Sequence, residues 1–209
     1  MRQIDLSPFG ERLVLLNRLA DVGFAAWDFL PGMRFGERAA WWRGGADRGS
    51  AHEGLDISRY RTGDGRLANL GAGAHVPVIY PGEVMAIVED FLGRSVFVAH
   101  ERLDCKGWRL HTIYGHLDPR PELAPGDLLR AGDEIGTIAD PSGRKTAVPP
   151  HLHLTVALIA RGGGPQRLDW DALRDRSRVV LFDPLPILLG ISWPGLLCTD
   201  FPPGAAAER

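Results

Sequence analysis

The stretch GEVMAIVEDFLGRSVFVAHERLDCKGWRLHTIYGHLD, residues 82–118, decides the fold. It consists of short runs rich in Val, Ile, Leu and Thr that are separated by glycine and aspartate, a pattern typical of antiparallel strands. The same texture continues to about residue 160, with Gly-Asp and Ser-Gly pairs that suit tight turns. The predicted strands cover residues 83–90, 94–101, 108–115, 134–138 and 151–159. The sequence therefore predicts a mainly β fold built on an antiparallel sheet.

The ends of the chain have a different texture. Leu13, Leu16 and Leu19 recur at helical spacing, which predicts an amphipathic N-terminal helix that continues to about Trp27. Toward the C-terminus the apolar run is interrupted by prolines and predicts an irregular segment. We therefore divide the chain into an N-terminal helical appendage (1–32), a main domain (33–190) and a C-terminal tail (191–209).

Composition excludes several classes of function. The formal net charge of -2 and the sequence pI of about 6.4 provide no basic field, so we expect no nucleic-acid partner. The most apolar stretch, residues 179–197, contains Asp183 and three prolines and is not expected to span a membrane. Cys105 and Cys198 are either bonded or two separate thiols, and neither has a Cys-x-x-Cys partner for a thiolate zinc site. The oligomeric state stays open.

Three short motifs contain histidines with neighbours that suit a metal site: AHEGLDI (51–57), IYGHLDP (113–119) and PPHLHLTV (149–156). In the first motif His52 and Asp56 flank Gly54, whose backbone freedom lets the imidazole and the carboxylate converge on one ion. In the third motif His151 and His153 are two residues apart in a predicted strand, so both side chains leave the same face. One of these two histidines can bind a metal while the other stands beside it.

These residue types indicate a catalytic zinc centre. Two histidines and one aspartate are ligands that suit zinc, and three protein ligands leave the fourth tetrahedral position for water or a substrate carbonyl. A water at that position becomes a nucleophile near neutral pH, which implies amide hydrolysis. The reaction also needs a proton shuttle and a donor to the oxyanion, and His116 and the non-ligand histidine of the third motif suit these tasks.

The remaining candidates have simpler interpretations. We interpret three further histidines as packed or surface residues: His75, His100 and His111. Asp118 and Asp127 are assigned to turns, and Glu53 to solvent. Trp41 and Trp42 are about equally suited to lining a groove and to capping the core.

The three motifs, in this order, resemble those of the lysostaphin-type (LytM-like) zinc peptidoglycan endopeptidases, whose pattern is His-x-x-x-Asp, Tyr-x-His-Leu and His-Leu-His. RFGER (34–38) and APGDLLRAGDEIG (124–136) also resemble segments of that family, so the resemblance covers about residues 33–160. The sequence departs from the family at Leu154-Thr155, where an aromatic residue and a glutamate are common. The resemblance assigns the zinc ligands and the two catalytic histidines as follows: zinc at His52, Asp56 and His153, and catalysis at His116 and His151.

The resemblance also implies a fold, a cofactor and a substrate. The expected fold is the duplicated-hybrid-motif type, with 33–190 as a zinc metallopeptidase domain that binds Zn²⁺ and holds a peptidoglycan peptide in a groove across the sheet. The implied location is periplasmic or extracellular, although residues 1–16 contain no recognisable export signal. Two alternatives remain: a zinc-retaining, non-catalytic module that binds the cell wall or activates a partner, and a peptidase that cleaves a non-wall peptide inside the cell.

Overall fold

The structure, a computed structural model, describes residues 8–105, 107–161 and 168–191. Within these ranges there are two α-helices, α1 (Pro8–Leu16) and α2 (Leu185–Leu189). The strands of the described residues are β1 (Phe24–Asp28), β2 (Ala39–Ala40), β3 (Ala46–Asp47), β4 (Leu55–Ile57), β5 (Arg59–Thr62), β6 (Leu67–Asn69), β7 (His75–Pro77), β8 (Gly82–Glu89), β9 (Arg94–Cys105), β10 (Trp108–Pro119), β11 (Leu128–Leu129), β12 (Glu134–Ile138), β13 (Leu152–Ala160) and β14 (Val179–Phe182).

Residues 192–209, which make up the predicted tail apart from residue 191, lie outside the described residues. Cys198 lies among them, and the side chain of Cys105 is also outside the description, so the bonding of the two cysteines stays open.

An antiparallel sheet of nine strands organises the molecule. Its main path runs β11-β8-β9-β10-β12-β7, and β13 joins it beside β10 and also pairs with β4 and β14. Each of the five strands predicted from the sequence corresponds to a strand of this sheet, and β9 and β10 extend beyond their predicted ends. The prediction of a mainly antiparallel β fold is therefore confirmed.

The two faces of β13 belong to different parts of the molecule. The strand is almost entirely apolar because both of its faces are covered. Alternate residues on one face join the main hydrophobic core: Leu152, Leu154, Val156 and Leu158. The other face contributes Ala157 and Ile159 to a smaller cluster. His153 and Thr155 share that second face, since side chains alternate along a strand.

The predicted N-terminal helix is wrong in its length. α1 ends at Leu16, where the prediction continued to about Trp27. Arg18 adopts a left-handed backbone conformation with φ of 51°, and a 3₁₀ turn over Leu19–Val22 follows it. Residues 24–28 then form β1, which pairs with β5 in a separate three-stranded sheet. Helical spacing of leucines therefore did not detect a strand whose partner lies more than thirty residues away.

The N-terminal helix packs on the same core as the sheet. Phe9 and Leu13 of α1 are buried in the main cluster together with Trp27 of β1. Asn17, directly after the helix, binds the backbone of His75 through both groups of its amide, which ties this end of the helix to β7. The three-part division of the chain stays a prediction. Neither helix of the described residues has the length and apolar character that crossing a bilayer requires.

A buried histidine on β9 makes stability depend on pH. His100 is fully buried. It accepts at Nε2 from the Thr112 hydroxyl at 2.8 Å and donates from Nδ1 to the Pro81 carbonyl at 2.9 Å. Desolvation lowers the pKa of His100 from 6.5 to about 4. In the unfolded chain the imidazole regains its ordinary pKa, so the unfolded state binds the proton more readily at mildly acidic pH. The contribution of the neutral His100 ring to the free energy of unfolding is therefore fully present above about pH 6.5 and is lost as the pH falls toward 4.

We therefore expect the free energy of unfolding to fall less steeply between pH 7 and pH 5 in His100→Asn than in the natural chain. The asparagine amide retains a donor toward Pro81 but does not titrate. Between pH 7 and pH 5 the natural chain should therefore lose on the order of 1 to 2 kcal/mol more of its free energy of unfolding than the variant. Urea unfolding at both pH values measures it. Equal losses of stability in the two proteins would contradict the assignment.

Candidate metal centre

The centre is built on the pairing of β4 with β13. In this antiparallel ladder Asp56 lies directly opposite His153. The flanking residues Leu55 and Ile57 point to the other face, where they are buried in the main core. Asp56 Oδ1 lies 2.8 Å from Nδ1 of His153 as a result. Strand register thus brings together two groups that are 97 positions apart in the sequence.

His52 completes the cluster from the loop before β4. Its backbone is held by two hydrogen bonds, from its own N–H to the Glu37 carbonyl and from the Gly36 N–H to its carbonyl, both at 2.9 Å. Its ring Nδ1 lies 3.1 Å from the carbonyl oxygen of Arg34, so Nδ1 carries the proton and Nε2 has the lone pair. That Nε2 lies 3.1 Å from Asp56 Oδ1 and 3.2 Å from His153 Nδ1.

Gly54 makes room for this convergence. It was expected to contribute backbone freedom, but its φ is not among the positive values. A methyl group in its place would lie 2.5 Å from the Leu154 carbonyl oxygen, 2.7 Å from His153 Nε2 and 2.8 Å from Thr155 Oγ1. Glycine is therefore needed because β4 and β13 approach closely beside the His153 ring.

The three ligand atoms fit a divalent metal. The Nε2 of His52, the Nδ1 of His153 and the carboxylate of Asp56 lie mutually within 4.8 Å, and all three residues are buried. Ligand atoms around a tetrahedral zinc with bonds of about 2.0–2.1 Å are about 3.3 Å apart, close to the separations found here. A proton on His153 Nδ1 would satisfy Asp56 but would leave the His52 lone pair poorly served. A metal ion would satisfy all three atoms at once.

The electrostatics of the cluster favour a bound cation. Complete burial works to raise the pKa of the Asp56 carboxyl, but charge and hydrogen bonds from the surrounding imidazoles outweigh it and hold that pKa well below its ordinary value. Desolvation lowers the pKa of His52, which keeps its ring neutral. Burial also works to lower the pKa of His153. The hydrogen bond to Asp56 and the charge of Asp56 outweigh this effect and raise the pKa of His153. The centre therefore presents one carboxylate and a neutral imidazole to a site that attracts positive charge.

The ring of His153 is anchored on its other side by Thr155. Nε2 of His153 lies 3.0 Å from the Thr155 hydroxyl oxygen, and both groups are buried. Thr155 occupies the position at which the sequence departs from the family pattern. The Thr155 hydroxyl therefore supports the His153 ring at the position where the family pattern has a glutamate.

Two further histidines stand beside the cluster. Their ring centroids are 4.7 Å apart, and Nε2 of His151 lies 3.5 Å from Asp56 Oδ1. Nδ1 of His151 donates to the Pro149 carbonyl at 2.8 Å, and Nδ1 of His116 donates to a carboxylate oxygen of Asp90 at 3.0 Å. In the neutral form of each ring Nε2 is therefore the nitrogen with the lone pair, and burial lowers the pKa of His116 to about 4. The structure thus brings together all five residues predicted from the motifs.

His116 reaches the centre because of a backbone irregularity. The ladder between β10 and β9 shifts register between Tyr114 and Leu117, and His116 has a positive φ of 65°. Bulges of this kind redirect a side chain at functional sites. Its neighbour Gly115 lies opposite His153 across the β10–β13 ladder, and a methyl group there would lie 3.3 Å from the Cβ of that histidine.

The two tryptophans lie beside the site. Trp41 Nε1 donates to Asp56 Oδ2 at 2.7 Å, and the indole packs edge-on against His151 with ring centroids 5.3 Å apart. Trp42 packs beneath the guanidinium of Arg48 at 4.9 Å from its ring centroid. The sequence left a groove and a core cap open for this pair, and of the two Trp42 lines the cavity over the site.

A cavity of about 570 Å³ opens over the five residues. Its other walls are aromatic and basic: Trp42, Phe91, Trp170, Arg48, Arg174 and Arg176. Glu53, predicted to face solvent, also lies on its wall. A volume of this size is in the range of ligand-binding pockets.

Sequence reasoning missed Asp90, Trp170 and Ser95, which support the site from other parts of the chain. Asp90 binds His116, and the Trp170 indole lies 5.3 Å from the His153 ring. None of the three belongs to a histidine motif, and an aspartate after a strand carries no distinguishing local signal. Their roles depend on contacts across the sheet.

The other candidate residues lie away from the centre. His100 and His111 are buried and hydrogen-bonded to backbone carbonyls, and His75 is exposed beside Glu134, as expected. Asp127 accepts from the backbone of its own turn. Asp118, also assigned to a turn, lies on β10 instead, in an exposed ion pair with Arg94.

Comparison with known proteins identifies structural neighbours only. No family model matches the chain, and no curated protein matches it. Lysostaphin in solution is 16% identical with a TM-score of 0.46, over 88% of this chain and 55% of lysostaphin. A proposed glycyl-glycine endopeptidase LytM from Ruminococcus gnavus is 24% identical with a TM-score of 0.42, over 70% of this chain and 48% of that one.

A mutant catalytic domain of the prophage-encoded M23 protein EnpA from Enterococcus faecalis is also similar. It is 24% identical with a TM-score of 0.37, over 71% of this chain and 95% of that one. The chain spans about half the length of the lysostaphin and LytM chains. Lysostaphin, after which the family predicted from the motifs is named, is thus among the structures that this chain resembles.

The close approach at Gly54 generates a prediction. Gly54→Ala should weaken the affinity for an added divalent metal ion, with zinc as the probe, by at least about tenfold, because the added methyl displaces the His153 ring and its Thr155 partner. Competition with a chromophoric chelator measures the affinity. Gly71→Ala is the matched control, since a methyl there meets no described atom within 4 Å and the backbone is not left-handed. Equal zinc affinities in the two folded variants would refute the steric explanation.

Proposed function

We propose that this chain is a zinc-dependent endopeptidase that hydrolyses peptide bonds in bacterial cell-wall peptidoglycan. One observation carries the proposal: the metal-binding atoms of His52, Asp56 and His153 lie 2.8–3.2 Å apart at the base of an open cavity. A structural zinc site is closed by four protein ligands, whereas a three-ligand site retains a position for chemistry. The two extra histidines beside it have no need to be there in a purely structural site.

The chain's own residues have separate tasks in this reaction. Zinc, when bound by His52, Asp56 and His153, would supply a Lewis acid and lower the pKa of a water. His116 and His151 line the cavity and each has Nδ1 tied to an acceptor, so in its neutral form each ring has its lone pair on Nε2. Such an atom accepts a proton from the attacking water and then donates it to the leaving amine. Phe91 packs edge-on against the His116 ring, with ring centroids 4.8 Å apart, and lines the same cavity.

The substrate class is inferred from the motif resemblance, since the site by itself specifies only amide hydrolysis. Peptidoglycan peptides are short and extended, and the cavity over β10 and β13 is open enough to admit such a chain. The alternative of a zinc-retaining binding or activator module predicts the same metal content without hydrolysis.

Two substitutions distinguish metal binding from catalysis. His153→Ala should abolish stoichiometric zinc, because it removes a ligand. His116→Ala should keep one zinc per chain and lower kcat by about 10²- to 10⁴-fold, the range for loss of a general acid or base. Zinc content is measured by elemental analysis, and hydrolysis by the amines released from peptidoglycan. His75→Ala, at an exposed histidine outside the site, is the control and should change neither.

Digestion of peptidoglycans with different cross-links, followed by mass analysis of the fragments, identifies the bond. Full zinc content with no released amine from any of them would overturn the enzymatic proposal and support a binding module. Absence of zinc from the purified chain, together with failure to bind added zinc, would overturn both readings.

The hydroxyl behind His153 gives a separate test. Thr155→Val keeps the size and the burial of the side chain but removes the hydrogen bond to Nε2. Partners of this kind are worth about 10- to 100-fold in metal affinity, so zinc binding should weaken by that factor. The Thr112→Val variant, at another buried threonine that contacts His100 away from the centre, should bind zinc as the natural chain does. An unchanged affinity in Thr155→Val would mean that the hydroxyl does not support the ligand.

A further inference from the structure

Asp90 is a buried carboxylate that follows β8, and its side chain is 3% exposed. Its two oxygens accept five hydrogen bonds. Oδ1 accepts from the backbone N–H of Leu92 at 2.9 Å, from that of Gly93 at 2.8 Å and from Nδ1 of His116 at 3.0 Å. Oδ2 accepts from the His116 backbone N–H at 2.9 Å and from the Ser95 hydroxyl at 2.6 Å. A carboxylate with this many donors is held in one orientation.

Asp90 contacts His116 at two points, one on the backbone and one on the ring. His116 has a left-handed backbone at a register shift, a conformation that is costly for a residue with a Cβ. The bond to its backbone N–H stabilises that conformation, and the bond to Nδ1 orients the ring that the conformation redirects. Capping the turn would account for the bonds to Leu92 and Gly93, but not for a contact with both ends of His116.

The carboxylate also determines which ring nitrogen carries the proton. An ionised carboxylate only accepts hydrogen bonds, so the His116 nitrogen that faces it must be the protonated one. Nε2 is then left without a proton, and it forms no hydrogen bond with the described residues. An amide at position 90 could instead donate to Nδ1 and allow the proton to move to Nε2, where it would block acceptance of a second proton.

A chain of donors fixes Asp90 from the opposite side. The indole Nε1 of Trp170 donates to the Ser95 hydroxyl at 3.0 Å, and this hydroxyl donates to Asp90. The Trp170 ring in turn packs against the ligand His153. This series of hydrogen bonds ends on the Asp90 carboxylate, which binds His116. A movement of Trp170 would therefore be transmitted to His116 without direct contact between the two side chains.

We propose that Asp90 is a positioning residue that holds His116 in the Nδ1–H tautomer and aims its Nε2 into the cavity. The inference rests on the proposed function for the role of His116, but the tautomer itself can be observed without any turnover.

The first experiment is nitrogen-15 NMR of the histidine rings in the zinc-loaded chain, with His116 assigned by its absence in His116→Ala. In the natural chain the His116 signals should be those of a neutral ring protonated at Nδ1. In Asp90→Asn they should shift toward the Nε2–H form, while His151, anchored on a carbonyl, should not change. If the His116 ring of the natural chain is protonated at Nε2, the proposal is overturned. This result does not require Asp90→Asn to fold.

The second experiment is a double-mutant cycle in hydrolysis. Asp90→Asn should keep its zinc and lower kcat by about 100-fold, the low end for loss of general acid–base catalysis, with KM changed by less than about twofold. In a His116→Ala background the same substitution should have no further effect, because Asp90 acts only through that ring. Additive losses would mean a general structural role and would overturn the proposal.

Asp118→Asn is the matched control, since it removes the same charge two residues from His116 at an exposed ion pair with Arg94. It should alter neither the His116 tautomer nor kcat. A natural chain that hydrolyses no peptidoglycan would defeat the proposed function, while the ring signals would still decide the role of Asp90. An unchanged tautomer in folded Asp90→Asn would defeat the role of Asp90 and leave the proposed function standing.

Discussion

The register between β4 and β13 is the constraint on which the rest of the site depends. Asp56 faces His153 across this ladder, and Leu55 and Ile57 face the core from the same three-residue strand. A slip of one residue would turn Asp56 into the main core and expose its two apolar neighbours. The hydrophobic effect therefore enforces the pairing of Asp56 with His153, although neither side chain is apolar. A core formed by alternate residues of β4 and β13 thereby positions a polar centre on their opposite face.

His116 shows what happens where strand alternation alone does not serve the site. β10 delivers Gly115 opposite His153, so the next residue of a regular strand would point to the core. The register shift and the positive φ of His116 turn its side chain back toward the cavity. The left-handed backbone of His116 is energetically unfavourable. Asp90 offsets this cost with hydrogen bonds to both the backbone N–H and the ring of His116. Asp56 and His153 are positioned by regular strands, whereas His116 beside them is held by a buried carboxylate.

Much of this arrangement was predictable because the motifs are local and the sheet is regular. The five strands and the five site residues follow from runs of β-branched residues and from His and Asp at short spacings, and the structure places those five side chains together. The helix predicted to reach Trp27 was wrong because β1 is defined by its pairing with β5, which local periodicity does not contain. Asp90 was missed for the same reason, because its partner His116 is 26 positions away. The sequence left two roles open for Trp41, because its partner Asp56 is 15 positions away.

Each of the four histidines of the centre has one ring nitrogen bonded to a fixed partner, and the partner of His153 differs in kind from the others. Each ring has one nitrogen on an anchor, and for His52 and His151 the anchor is a carbonyl oxygen, which only accepts. The anchor of His153 is the Thr155 hydroxyl, which both donates and accepts. With a proton on Nδ1 the ring can bind Asp56 and accept from Thr155. With Nδ1 free for a metal it can donate from Nε2 to the same oxygen. A glutamate at position 155 would permit only the second state, so the threonine supports the ligand in both forms without any movement of the strand.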